Sequence, residues 1–294
     1  MYKIGQSYFK KLVLFVVSVS VCFLLHSLLP VRVARSQITQ DFVQVKNESP
    51  AKTLIDKAQA YNDRGQFRFS IPILEQAISL AQKSQDKETI TIAQGVLGNA
   101  YILAGEYDRA LGAYQTSLKL AQEIGNDRYI TIALNSQVNL LQTRQGRYLA
   151  QALAASQEKD SQEQARLSAL AEQDKNDALV AANRAIEVSK TVGGIPQVKA
   201  LLNIINISSP HEDLAARYRE SAIAIIDKLP PSRSKAYVLI QLAQDQKDKA
   251  KVDSLEKASA ISGNINDLRT QSFALGALGR YYEQAGIIRC LEKY

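Results

Sequence analysis

Residues 91–125, TIAQGVLGNAYILAGEYDRALGAYQTSLKLAQEIG, contain the pattern that predicts the fold. A first apolar segment runs to Gly105, and a second follows from the aromatic residue Tyr107. Glycine supplies the positive φ that commonly ends a helix, so this stretch is typical of two helices joined by a tight turn. Neither helix can bury its apolar stripe alone, which predicts that neighbouring hairpins stack.

The same skeleton recurs elsewhere in the chain. Forty residues earlier, six positions match in kind: Tyr61 with Tyr101, Gly65 with Gly105, Phe67 with Tyr107, Leu74 with Tyr114, Ile78 with Leu118 and Ala81 with Ala121. Near the C-terminus, residues 273–286 repeat the first half of the pattern. A fixed period of this length is the mark of a stacked repeat protein.

The repeat resembles the tetratricopeptide repeat, in its long variant with a period near forty residues. The best unit matches that pattern at Leu97, Gly98, Tyr101, Gly105, Tyr107, Ala110 and Tyr114. It lacks the family's first-helix tryptophan, since Gln94 stands there. The resemblance implies an all-α fold, a right-handed superhelical solenoid of helix hairpins over residues 51–286. An unrelated helical bundle with coincidental spacing is the alternative.

The third unit is interrupted. Its first helix is expected from Tyr129, Gly146-Arg147-Tyr148 follow one residue late, and its second helix is expected at 178–192. Residues 150–177 are rich in Ala, Gln, Glu, Lys and Ser and contain no Gly or Pro. That composition predicts a polar helical insertion whose long extensions form a projecting hairpin. It is either an arm for a specific partner or a solvated protrusion.

Three further units are expected after the insertion. The fourth has helices at about 197–208 and 212–228 and ends at Pro230-Pro231, and the fifth occupies 233–262. The sixth has a first helix only, followed by a tail at 287–294. Either the tail folds over the apolar face of that helix, or the chain is a truncated form of a longer relative.

Residues 1–36 have the features of a signal peptide. Lys3, Lys10 and Lys11 precede an apolar run over 12–29, and Ala34-Arg35-Ser36 offers a cleavage site. The run is also long enough to remain as a membrane anchor. We therefore expect an exported, periplasmic protein, or one tethered to the cytoplasmic membrane through residues 12–29, with a linker at 37–50.

The composition of the chain disfavours chemistry and nucleic-acid binding. Residues 1–36 carry five of the 36 basic residues and none of the 29 acidic ones, so the net charge of +7 falls to +2 without them. We see no basic stripe with aromatic platforms for nucleic acid. Outside 1–36, His211 and Cys290 are the only histidine and cysteine. The sequence thus predicts no cofactor, no metal site, no catalytic residues and no enzymatic activity.

The resemblance implies a protein-interaction scaffold that binds a peptide or a partner domain in a concave groove. In the second unit the family's groove positions include Asn99 and Ile102, and the places equivalent to Asn99 hold Gln59, Asn139 and Asn206. A carboxamide both donates and accepts hydrogen bonds, so such a row can bind extended backbone without reading its sequence. These could also be polar groove positions with no such role.

A second functional hypothesis comes from the order of the segments. An export signal followed by long-period repeats with a polar insertion resembles the N-terminal region of exported bacterial CHAT-domain proteins. In them the repeats precede a caspase-like peptidase domain, of which this chain contains no part. The alternative function is therefore a truncated regulatory or recognition arm of a CHAT-type peptidase.

Overall fold

The computed structural model describes residues 49–208 and 212–284, and every regular element in these ranges is an α-helix. The eleven helices are α1 (Pro50–Asp63), α2 (Phe67–Lys83), α3 (Lys87–Ala104), α4 (Tyr107–Glu123), α5 (Asp127–Gln157), α6 (Ser161–Val192), α7 (Gly194–Ser208), α8 (Glu212–Lys228), α9 (Arg233–Gln244), α10 (Asp248–Asn264) and α11 (Leu268–Gln284). The expected signal or anchor at 1–36, linker residues 37–48, the tail at 287–294, His211 and Cys290 lie outside the described residues.

The helices stack in chain order in two layers. Each described helix packs against the next, and each odd-numbered helix also contacts the following odd-numbered one. Within the described ranges, no pair of even-numbered helices is in comparably extensive contact. The odd-numbered helices therefore form one continuous layer. This confirms an all-helical repeat fold whose consecutive packing is compatible with a solenoid.

Short polar side chains begin the helices of the repeats. The side chain of Asp86 accepts a hydrogen bond from the Thr89 amide at 2.9 Å, and that of Asn126 accepts from the Tyr129 amide at 3.1 Å. Both satisfy an amide that has no partner inside its own helix. Gly105 follows α3 with a φ of 79°, the left-handed conformation predicted for the turn glycine.

The second hairpin, α3–α4, is held together by close contact of an aromatic ring with a glycine. Tyr114 is fully buried, and its ring lies on Gly98 so closely that an added Cβ would be 2.5 Å from Cε1. One turn away, the Ser117 hydroxyl donates to the Thr91 carbonyl oxygen at 2.9 Å. A hydrogen bond and a tight apolar contact thus set the spacing of the two helices.

The third unit differs from its prediction at Gly146. This glycine is helical and lies inside α5, which continues to Gln157 before a turn in which Lys159 has a φ of 61°. The predicted insertion begins inside α5 and ends inside α6, so the two form one long hairpin. Ala152 and Ala155 of α5, with Leu167 and Ala171 of α6, are buried along it. Their packing stabilises helix beyond Gly146, where the repeat pattern alone expects a turn.

Two hydrophobic clusters run through the stack, and α7 belongs to both. Ala200 and Ile204 of α7 lie in the cluster built from α1–α6, while Val198 and Leu202 lie in the cluster that extends to α11. The two ends of the described stack also meet, because Arg269 Nη1 donates to the carbonyl oxygen of Asp63 at 2.7 Å. None of the described helices is both long and apolar enough to cross a membrane.

Candidate protein-binding surfaces

The four carboxamides predicted to line a groove differ in exposure. Gln59 on α1 and Asn99 on α3 are buried, with 7% and 2% of their surface exposed. Asn139 on α5 is half-buried, and Asn206 on α7 is exposed. Since two of the four are covered, they do not form the single exposed row that the sequence predicts. Their role in binding peptide stays a prediction.

Asn99 faces its own hairpin partner. Its side-chain oxygen accepts a hydrogen bond from the Tyr114 hydroxyl at 2.5 Å, across the α3–α4 contact. Burial raises the pKa of Tyr114 well above its usual value, so this hydroxyl stays protonated and donates. The carbonyl half of the Asn99 amide is therefore occupied within the fold, and only its amide nitrogen is available to another partner.

Ile102 also lies in the core instead of lining an open groove. It is 2% exposed and belongs to the first hydrophobic cluster. The equivalent residue of the first hairpin is Asn62, whose side-chain oxygen accepts a hydrogen bond from Ser70 of α2. This position therefore faces the second helix of its hairpin, which explains why Ile102 is buried.

A pair of buried asparagines that the sequence reasoning missed joins α5 to α7. Asn203 Nδ2 donates to Asn135 Oδ1 at 3.1 Å, and Asn135 Nδ2 donates to the carbonyl oxygen of Pro196 at 3.0 Å. Both side chains are buried. Asn135 stands forty residues after Gly95, one of the family's groove positions, so the repeat alignment could have pointed to it.

Several buried amide groups of the odd-numbered helices lack a partner. Among the described residues, none accepts a hydrogen bond from Asn62 Nδ2, Asn99 Nδ2 or Gln137 Nε2. Gln59 Oε1 is an acceptor without a donor, although its Nε2 donates to Asp63 at 3.4 Å. A buried polar group without a hydrogen bond costs about 1–3 kcal/mol. We call the layer of odd-numbered helices the inner layer, and three of its successive helices thus hold donors without a partner among the described residues.

A second candidate surface is an open cleft of about 420 Å³ where the long hairpin meets the α3–α4 turn. Its lining includes Tyr107 from the turn and Arg147 and Tyr148 from α5. The Arg147 guanidinium lies 5.5 Å from the centre of the Tyr107 ring, which is a cation–π contact. Aromatic and guanidinium groups in a cleft are common in protein interfaces.

An ion pair at the floor of this cleft fixes the base of the long hairpin. Arg144 of α5 donates to both carboxylate oxygens of the buried Asp174 of α6, at 2.8 and 2.7 Å. It also donates to Asp108 of α4 at 2.8 Å. Hydrogen bonding to Asp174 raises the pKa of Arg144 above its usual value. Three helices are therefore joined through one guanidinium.

The described residues bring together no group of three His, Cys, Asp or Glu side chains that could hold a metal ion. In the comparison with curated proteins, no sequence matches the chain significantly. A family model for the tetratricopeptide repeat matches residues 49–123, the part of the chain that forms the first two hairpins.

Proposed function

We propose that this protein is a non-enzymatic scaffold that binds an extended segment of a partner protein along the odd-numbered helices. Tetratricopeptide repeats generally mediate protein–protein interaction, and the first two hairpins match that family. The observation that carries the proposal is the pair of buried amide donors on α3 and α5, Asn99 and Gln137, that have no partner among the described residues.

An extended peptide has the groups that these donors lack. Its backbone carbonyl oxygens project at regular intervals and accept from any N–H within reach. A hydrogen bond from such an amide to a carbonyl oxygen of the partner typically contributes about 0.5–1.5 kcal/mol. Because backbone carbonyls are the same in every sequence, such binding tolerates sequence variation in the partner. The bound segment must displace the side chains that now cover Asn99.

The test is a binding measurement on a captured partner. The partner is first identified by crosslinking and pull-down from the exported fraction, and its affinity is then measured by calorimetry. Replacement of Asn99 and Gln137 together by Ala is expected to weaken binding at least tenfold, on the order of 1.4 kcal/mol, because backbone contacts on two inner helices are lost. An unchanged affinity would contradict the role of these amides.

The control separates binding from folding. Asn99→Ala also leaves the buried Tyr114 hydroxyl without its acceptor, so it is expected to lower the melting temperature. Tyr114→Phe removes the same hydrogen bond but keeps the Asn99 amide nitrogen. If Tyr114→Phe binds with wild-type affinity while the double alanine variant binds more weakly, the loss of affinity is due to the amide groups. Equal losses in both variants would show that hairpin geometry is responsible.

We further propose that the protein acts outside the cytoplasm, or on its membrane. The support is the sequence of residues 1–36, with its basic start and apolar run. N-terminal sequencing of material recovered from the exported fraction is expected to begin at Gln37. Recovery of the intact N-terminus from the membrane fraction would assign a retained anchor, and recovery from the cytoplasm would contradict export.

A further inference from the structure

The charged side chains that line the cleft at the base of the long hairpin are paired, with one exception. Arg109 donates to Glu106 at 2.6 Å, and Arg144 donates to Asp108 at 2.8 Å. The side chain of Asp108 is also 94% exposed, so the solvent screens its remaining charge. None of the carboxylates of the described residues lies within ion-pair distance of Arg147. Arg147 is therefore the one lining charge without a counterion among the described residues.

An aromatic ring holds Arg147 in place. Its guanidinium carbon lies 5.5 Å from the centroid of the Tyr107 ring, and Tyr107 packs against the first hydrophobic cluster. A guanidinium has five N–H donors, and those of Arg147 have no acceptor among the described residues. A cation that is already positioned loses less conformational entropy on binding an anion than a freely moving one. Arg147 is thus prepared for an acceptor that the described part of the chain does not supply.

The cleft exists because α5 continues past Gly146. Its lining from α5 consists of Arg144, Arg147, Tyr148 and Gln151, whose spacing of three, four and seven residues puts them on one face of the helix. A helix that ended at Gly146, as the repeat spacing predicts, would not place Arg147 and Tyr148 beside the α3–α4 turn. The extension of the long hairpin therefore adds a surface that the regular hairpins lack.

Tyr148 offers a second donor on this face. Its phenol interacts electrostatically with Arg144 and Arg166, which places it among guanidinium groups. None of the described residues forms a hydrogen bond with the Tyr148 hydroxyl. A hydroxyl donates to a carboxylate, and positive groups nearby favour a negative ligand. Arg147 and Tyr148 therefore match an acidic side chain.

The parts of the chain outside the described ranges are a poor source of this acidic group. They carry eight basic side chains and three acidic ones, Asp41, Glu48 and Glu292. Segments with an excess of positive charge do not complement a cleft whose unpaired group is a cation. Charge complementarity thus favours a carboxylate from another protein.

We propose that this cleft binds an acidic segment of a partner protein, one of whose carboxylates accepts hydrogen bonds from Arg147 and from the Tyr148 hydroxyl. The hydrocarbon part of the segment lies against the rings of Tyr107 and Tyr148. Arginine and tyrosine are the residue types that often contribute most of the binding energy of an interface. The inference rests on the proposed function in one respect, that the partner is a protein, and it involves none of the unpaired amides of the inner layer.

Two fluorescein-labelled peptides test the proposal. One repeats the dipeptide Glu-Ala four times and the other repeats Gln-Ala four times, so they differ in charge and hardly in shape. Fluorescence anisotropy with the full-length protein is expected to show saturable binding of the acidic peptide that weakens as the salt concentration rises. The neutral peptide is expected to bind at least tenfold more weakly, because it lacks the charge-assisted hydrogen bonds.

Variants of the protein locate the binding. Arg147→Gln removes the cation and is expected to weaken binding of the acidic peptide at least tenfold, whereas Tyr148→Phe removes one donor and is expected to weaken it about threefold. The matched control is Arg184→Gln on α6. Arg184 is exposed, has no ion pair with a described residue and does not line the cleft, so its replacement changes the net charge equally and should leave binding unchanged. Circular dichroism melts check that each variant is folded.

Several outcomes would overturn the proposal. They include absence of saturable binding, equal binding of the neutral peptide, and wild-type affinity in Arg147→Gln. An equal loss in Arg184→Gln would assign the attraction to the overall charge. A dimer in sedimentation that Arg147→Gln dissociates would make a second copy the occupant, and tighter peptide binding by a variant that stops at Gln284 would assign the cleft to the chain's own last residues.

A further variant separates this proposal from the proposed function. Replacement of Asn99 and Gln137 together by Ala removes the inner amides and is expected to leave binding of the acidic peptide unchanged. If that variant loses the acidic peptide while Arg147→Gln retains it, the peptide binds along the inner layer and the cleft is not the site.

Discussion

The first two hairpins and the long hairpin follow the same forty-residue pattern but end their first helices differently. In the second hairpin, α3 stops at Gly105, which has a φ of 79°. In the long hairpin the chain passes through Gly146 in helical conformation and continues to Gln157. The turn glycine therefore permits a helix end but does not impose one, because glycine is also compatible with helix.

What the following residues can pack against decides between the two outcomes. After Gly105, Tyr107 and Ala110 begin α4, which folds back directly onto α3. After Gly146, α5 packs along α6, and Ala152 and Ala155 of α5 and Leu167 and Ala171 of α6 are buried, so helix is stabilised by tertiary contact on the far side of the glycine. The point at which the first helix of a hairpin ends therefore depends on the helix that packs against it as much as on the turn glycine.

The largest loss of stability is expected when Arg144, at the base of the long hairpin, is replaced by alanine. Arg144→Ala leaves Asp174 buried without its cation, and breaking a buried pair in this way typically costs about 3–5 kcal/mol of unfolding free energy. Chemical denaturation measures it. Arg166→Ala, which removes an exposed pair with Glu163 on α6, is the matched control and should have little effect.

A double variant sharpens the same prediction. Replacement of Arg144 and Asp174 together by Leu removes both charges and is expected to recover most of the stability that Arg144→Ala loses. If the double variant is as unstable as the single one, the pair acts through its geometry and not through the burial of an unpaired charge.

The second-largest effect is expected at the glycine of the regular hairpin. Gly98→Ala places a Cβ 2.5 Å from Tyr114 Cε1, so the ring must move, and overpacking of this kind costs about 1–3 kcal/mol. Thermal denaturation measures the loss. Gly112→Ala on α4 is the control, because the added methyl group meets none of the described atoms and should stabilise slightly. A neutral Gly98→Ala would show that Tyr114 does not set the spacing of α3 and α4.

The sequence predicted the helices far better than the environments of their side chains. Helix positions follow from local signals, such as the Gly105 turn and the forty-residue spacing of Tyr61 and Tyr101. In the third unit the repeat spacing alone expected a turn at Gly146, whereas the composition of residues 150–177 predicted the helical extensions that continue α5 to Gln157 and begin α6 at Ser161. The helix that packs against α5 beyond Gly146 lies in residues 161–177, outside the repeat, so the repeat spacing does not encode that contact.

The sequence predicted which residue types occur in the candidate site, but it did not predict how exposed they are. The repeat alignment found carboxamides on successive inner helices, and Gln59 and Asn99 do lie at equivalent positions. It did not reveal that a hydroxyl fifteen residues later in the chain, that of Tyr114, would bind Asn99. Burial of one side chain depends on every helix around it, which a local sequence pattern does not describe.

A third, smaller effect is expected when Gly105 and Gly146, which match in the repeat pattern, are each replaced by alanine in separate variants. Gly105→Ala forces a Cβ into the left-handed region and should destabilise the protein by about 1 kcal/mol. Gly146→Ala adds a methyl group in open space within a helix and should stabilise it by about 0.5–1 kcal/mol. Thermal melts measure both. Shifts of the same sign would contradict the assignment of Gly146 to the interior of α5.

The smallest effect concerns how the two regions begin their helices. Asp86 caps α3 with a group that titrates, whereas Asn126 caps α5 with one that does not. Burial raises the pKa of Asp86, but hydrogen bonds from the side chain and backbone of Thr89 outweigh it, so the pKa lies below its usual value. A carboxyl group whose pKa is lower in the folded state than in the unfolded state stabilises the fold at pH values above its unfolded pKa. This stabilisation is lost as the pH falls through the pKa of the folded state.

Asp86→Asn is therefore expected to destabilise the protein at pH 7 by a fraction of about 1 kcal/mol, because an amide caps nearly as well but lacks the charge at the helix N-terminus. The difference from wild type should shrink as the pH falls below about 4. Urea denaturation at a series of pH values measures it. Asn126→Ser is the control, since neither of its caps titrates and its effect should not change with pH. A constant difference for Asp86→Asn would mean that its capping oxygen, and not its charge, stabilises α3.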